Sequence, residues 1–151
     1  MFWCGMMVGG YLVTASGYGA AMTTTGSAQV VSVEAAGAPQ AYQFSVGIAS
    51  PDKGCRQYAD WWEVVTENGE LVYRRILLHS HVGEQPFVRS GGPVAIGPDT
   101  VVWVRAHMHP GGYGGKVMKG TVRSGFRETT THPDFAQALE KQSPQPDDCA
   151  F

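Results

Sequence analysis

The sequence predicts an all-β fold, an antiparallel two-sheet sandwich of immunoglobulin type with a short C-terminal helix. Three observations carry that prediction. Glycine supplies 20 of 151 residues while charged side chains make up only 16%, a composition rich in tight turns and poor in solvated helix faces. Apolar residues between positions 40 and 126 recur with a period of two, the spacing of a half-buried strand. Clusters of Gly, Pro, Asn and Asp break these runs roughly every 8–15 residues, leaving six or seven short strands. The length suits one domain. Eleven Lys and Arg against 13 Asp and Glu give a formal charge of −2, which excludes the basic stripe a nucleic-acid binder needs.

The chain opens with an unusual segment. No charged side chain precedes Glu34, and Phe2 to Met22 is apolar or small, broken by Gly5, Gly9, Gly10, Gly17 and Gly19. Residues 1–28 are expected to act as an export signal, with an apolar core over Met6–Val13 and a cut after Gly26-Ser27-Ala28. A membrane anchor is the alternative, since about 20 residues suffice to span; a buried glycine-rich part of the domain is the other. Cys4 lacks the preceding small and branched residues of a lipoprotein site. Residues 29–39 read as a linker or edge strand, and residues 40–151 as the domain.

Tyr42, Phe44, Val46 and Ile48 alternate with Gln43, Ser45 and Gly47, so the first strand has one apolar face. Pro51-Asp52-Lys53-Gly54 ends it in a turn. The strongest local signal is Asn68-Gly69 between two alternating runs, the signature of a type I′ hairpin. That turn sets Glu67 opposite Glu70, Val65 opposite Val72, Glu63 opposite Arg74 and Trp62 opposite Arg75. The last two are an ion pair and an arginine over an indole, each worth a fraction of a kcal/mol to about one.

A further strand covers Thr100 to His109. Val102, Val104, Ala106 and Met108 form its core face, leaving Trp103, Arg105, His107 and His109 on a face expected to meet solvent. The glycine-rich stretch from Pro110 to Gly115 leads to a last strand near Val117–Arg123. His132-Pro133-Asp134 opens a helix near 133–142, with Phe135, Ala138 and Leu139 on one stripe.

Beyond Cys4, two cysteines remain, Cys55 and Cys149. The polar, proline-rich tail from Ser143 would wander unless tied down, and a Cys55–Cys149 bridge would pin it; two separate thiols are the alternative. A bridge belongs to an oxidising compartment. Bridge and export signal support each other, and the chain is expected to be periplasmic or secreted.

Four of five histidines fall in two pairs, His79-Ser80-His81 and His107-Met108-His109. Residues two apart on a strand share a face. If the two strands were neighbours, four imidazoles and Glu84 would form a candidate site for Zn or Cu. The alternative is solvated or hydrogen-bonded histidines that tune packing with pH. Arg89 and Ser90, with Gly91-Gly92, are candidates for an anion-binding nest; Trp103, Arg105 and Tyr113 are candidates for ligand contact on the far strand. Ser80 or Ser90 as a nucleophile lacks the Gly-x-Ser-x-Gly elbow.

Two resemblances add to this. His79-x-His81-x2-Glu84-x6-Gly91, followed by His107, resembles the metal motif of the cupin family and implies a small metal-holding barrel as the rival fold. The spacing before Glu84 is short, Tyr73 stands where that motif has glycine, and Trp103-Val104-Arg105 replaces its proline-x-glycine turn. The run from Tyr58-Ala59-Asp60-Trp61-Trp62-Glu63 through His79-Ser80-His81 to Glu84-Gln85-Pro86-Phe87 resembles a group of uncharacterised exported bacterial proteins, over most of residues 42–151. It implies no activity.

The sequence therefore points to an exported β-sandwich that binds a small ligand or a protein rather than catalysing a reaction. A Zn or Cu binder through the paired histidines is the second reading, and a metal-dependent enzyme the third. Self-association through edge strands is a further expectation, with membrane contact confined to an uncleaved N-terminal segment.

Overall fold

Eight strands build two antiparallel sheets in a computed structural model that describes residues 26–150. The candidate export segment up to position 25, with Cys4, lies outside the described residues. The strands are β1 (Gln29–Ala38), β2 (Ala41–Ala49), β3 (Tyr58–Thr66), β4 (Leu71–Ile76), β5 (Phe87–Val94), β6 (Val102–His109), β7 (Val117–Thr121) and β8 (Gly125–Thr129). One sheet has the order β1-β2-β5 and the other β4-β3-β6-β7-β8. In immunoglobulin terms β1, β2 and β5 stand as A, B and E. β3, β6 and β7 stand as C, F and G, with β4 beside β3 and β8 added at the far edge. The sheets do not close into a barrel, so the cupin-like alternative is not realised.

The period-two reading located the core. Tyr42, Phe44, Val46 and Ile48 of β2 face Trp62 and Val64 of β3 and Val102, Val104, Ala106 and Met108 of β6, all at most 4% exposed. Each large side chain so buried contributes roughly 1.5–3 kcal/mol. β1 pairs with β2 along its length, and β5 carries Arg89, Ser90 and Gly91-Gly92 within a strand. As an edge strand β5 tolerates Pro93. Its Ser90 hydroxyl lies 2.8 Å from that of Ser45 on β2.

The β3–β4 hairpin departs from the expected type I′ form. Gly69 alone takes positive φ, at 83°, and its N–H donates to the Thr66 carbonyl. The turn is therefore a wider one closed by a glycine bulge. Trp62 still faces Arg75 and Glu63 still faces Arg74, but a bulge sets Val65 against Leu71 rather than Val72. The arginine over an indole is Arg74 on Trp61, 4.4 Å from the ring centroid, because Trp62 points into the core.

The largest departure concerns the outer face of β3 and β6. Arg105 and His107, expected in solvent, are only 2% and 5% exposed. The chain after β8 returns across this face. The predicted helix contracts to a single 3-10 turn over Gln137–Lys141, entered through a left-handed Ala136 with no capping side chain. Leu139 from that turn is buried, Phe135 sits 5.3 Å from the Trp103 ring, and Cys149 is bonded to Cys55. This C-terminal strap roofs the sheet.

Candidate functional site

The roofed face is organised around one carboxylate. Glu63 is fully buried and holds two guanidiniums: Arg74 donates to Oε2 from Nε at 2.8 Å, and Arg105 donates to Oε1 from Nε at 2.8 Å. The remaining nitrogens reach the strap. Arg74 donates to the carbonyls of Leu139, Gln142 and Pro144, and Arg105 to those of Phe135 and Ala136. The Ala136 and Leu139 carbonyls already accept from the backbone N–H groups of Leu139 and Gln142, so the two arginines use their second lone pairs and tie the strap to the sheet.

Beside this triad a bulge between Ala59 and Trp61 swings Asp60 onto the same face. Its Oδ1 lies 2.6 Å from His107 Nδ1, and His107 Nε2 lies 3.1 Å from Glu140 Oε1 of the strap. The imidazole stacks on Trp61 at 3.7 Å with rings 4° from parallel, so Trp61 is sandwiched between His107 and Arg74. Tyr113 stands edge-on to both rings of that stack, with the Arg105 guanidinium 3.6 Å from its centroid. Burial, reinforced by the Glu63 charge, pushes the Tyr113 phenol far above its ordinary range.

Between this stack, the disulfide and the strap lies a cleft of about 440 Å³. Its walls carry Asp60, Glu140, Asp147 and Asp148 against the imidazoles of His107 and His109, with Tyr58 and Trp61 as aromatic surface. The field is negative. Burial raises the Tyr58 phenol, and Asp60, Asp148 and Asp52 raise it further.

The other histidine pair lies apart from this cleft, on the β4–β5 connection. His81 is 4% exposed and stacks on Phe87 at 3.8 Å; its ring centroid is 4.5 Å from that of His79. Asp52 organises this corner, accepting from the Ser50 hydroxyl and the N–H groups of Ala59 and His81. Glu84 turns outward and takes a two-pronged grip from Arg89, at 2.9 and 3.1 Å. Burial, with Arg89 and His79 nearby, lowers the His81 pKa against the weaker opposing pull of Asp52 and Glu84. The unfolded chain then takes up the His81 proton first as pH falls, so this contribution to stability is present above about pH 6.5 and lost below it. In urea titrations from pH 7 to pH 5, His81→Phe is expected to flatten the fall in stability, a difference that vanishes if His81 protonates as easily folded as unfolded.

The five proposed metal ligands do not converge. Among the described residues no group of three or more His, Cys, Asp or Glu side chains is arranged to hold an ion. β6 neighbours β3 and β7, not the connection bearing His79 and His81, so the condition for a four-imidazole centre fails. The Ser80 hydroxyl accepts from Gly54 N–H and Ser90 pairs with Ser45, neither with a histidine. Of the ligand-contact candidates, Arg105 is part of the triad, Tyr113 packs against it, and Trp103 carries Lys119 4.5 Å over its ring. Asp60, Glu63, Asp52 and Glu140 were missed as site residues. Only Glu63 had a sequence signal, its place opposite Arg74.

Fold and cleft together define a disulfide-tied, immunoglobulin-like β-sandwich with a roofed acidic cleft. No protein-family model matches the chain, and no solved structure does. A protein of Halomicrobium mukohataei named "Putative lipoprotein" is 41% identical to it over 95 residues, 63% of this chain and 46% of that protein. The chain thus spans about half the length of this relative.

Proposed function

We propose that this chain is an exported binding module that holds a small cationic ligand, such as an alkylamine, in the cleft beneath its strap. The observation that carries this reading is the lining of that cleft: four carboxylates against two imidazoles, on an aromatic floor. Ammonium groups suit such a place because carboxylates supply acceptors and aromatic faces attract cations. Export draws on the relative's name and on the Cys55–Cys149 bridge, a bond that persists in oxidising compartments. Binding is favoured over catalysis because His107 has a carboxylate at each ring nitrogen, where a hydrolase would place its nucleophile on one side.

Calorimetric titration with spermidine, with citrate as the anionic control, tests the reading at physiological ionic strength. Spermidine is expected to bind and to perturb Trp61 emission, and Asp147→Asn with Asp148→Asn to weaken it roughly tenfold, about 1.4 kcal/mol. Citrate binding in place of spermidine, or spermidine affinity unchanged in the double variant, would overturn it.

A further inference from the structure

We propose that the corner between the edge strands β4 and β5 is a binding site for a small oxyanion of the phosphate or sulfate type, held by Arg75, Arg89 and the imidazole of His81. The two sheets meet here without hydrogen bonding, since β4 ends one sheet and β5 the other. The gap leaves a cavity of about 90 Å³, walled by those three side chains, His79 and the apolar run Ile76–Leu78. That is about three waters' share of liquid volume. It admits an ion of a few heavy atoms.

The chemistry of the wall selects the sign. Arg75 is exposed and makes no ion pair among the described residues. Arg89 comes from the facing strand, where its terminal nitrogens grip the outward Glu84 carboxylate and the Val88 carbonyl, so it brings a partly answered charge to this wall. His81 supplies the independent observation. Its side chain is 2% exposed, and neither ring nitrogen has a hydrogen-bond partner. A neutral imidazole always carries one N–H, and a buried donor left unpaired is costly. The nearest carboxylate oxygen, on Asp52, is 3.9 Å from Nδ1, beyond hydrogen-bond reach. Asp52 is already bonded to three other donors. An oxyanion in the cavity gives the His81 N–H an acceptor and the Arg75 guanidinium a counter-charge. Burial first, and then the neighbouring Arg89 and His79, depress the His81 pKa. The acidic cleft takes no part in this site.

The test is thermal unfolding of the full chain with added sodium phosphate, sodium sulfate or sodium chloride at matched ionic strength, with the His81 ring resonance followed by NMR. A ligand that binds only the folded state raises the midpoint in proportion to ln(1 + [L]/Kd). Phosphate or sulfate is expected to raise it and to shift the His81 signal, while chloride does neither. Arg75→Gln changes an exposed side chain and leaves the fold intact; it should weaken the anion at least tenfold. His81→Phe keeps the stack on Phe87 and should do the same, whereas Glu84→Gln frees the Arg89 fork and should tighten binding. Asp147→Asn with Asp148→Asn should leave the anion response as it was, which separates this site from the cleft. Equal responses to chloride and phosphate, or an anion response undiminished in both Arg75→Gln and His81→Phe, would overturn the proposal.

Discussion

Glu63→Gln is expected to lower the unfolding free energy by about 3–5 kcal/mol, because it removes the one anion between two buried guanidiniums. The isosteric amide keeps the volume, so no cavity contributes. What changes is charge: Arg74 and Arg105, 6% and 2% exposed, would remain desolvated with only neutral carbonyls as partners. Loss of a buried ion's partner costs far more than the pair itself contributes, since the other charge stays out of water. The strap should respond as well, because both arginines grip its carbonyls. Urea denaturation with linear extrapolation checks the magnitude, and hydrogen exchange at residues 135–144 checks the strap. A loss below about 1 kcal/mol would show that water reaches the triad.

Removing the bridge should have an effect of similar size by a different route. Cys55→Ser with Cys149→Ser opens a covalent loop with a sequence separation of 94 residues. The chain-entropy limit for a loop that long is roughly 4–5 kcal/mol, gained by the unfolded ensemble. The folded state would still hold its strap through Arg74 and Arg105, so the sandwich should persist at room temperature. The cleft should not, because Asp147 and Asp148 stand next to Cys149 and lose their position with it. Denaturation curves with and without reductant measure the first effect, and spermidine titration of the double variant the second. An unfolding midpoint insensitive to reductant would show that the bridge does not restrain the unfolded chain.

These two experiments touch what was unequally visible in the amino-acid order. Cys55 and Cys149 could be paired because a polar tail that carries a cysteine needs an anchor. The Glu63–Arg74 pair could be written down because the Asn68-Gly69 turn nearly fixes the hairpin register, and the bulge shifts only Val65. Arg105 could not be joined to them: its pairing with Glu63 depends on β6 lying beside β3, across 42 residues. The histidines misled for the same reason. Spacing put His79 with His81 and His107 with His109, yet sheet order separates the two pairs.

The sequence by itself determined the layered β-architecture, the core faces of β2 and β6 and the cysteine tie, because alternation and turn chemistry act between residues close along the chain. Only the tertiary structure decided that the far face of β3 and β6 is covered, that Asp60 and Glu140 meet at His107, and that His81 is buried between β4 and β5 without a partner for its ring nitrogens. Those outcomes depend on where the strap comes to rest and which strands become neighbours. Such long-range packing leaves no period in a linear sequence, and a buried Arg105 or His107 looks there like any polar residue on a solvated strand.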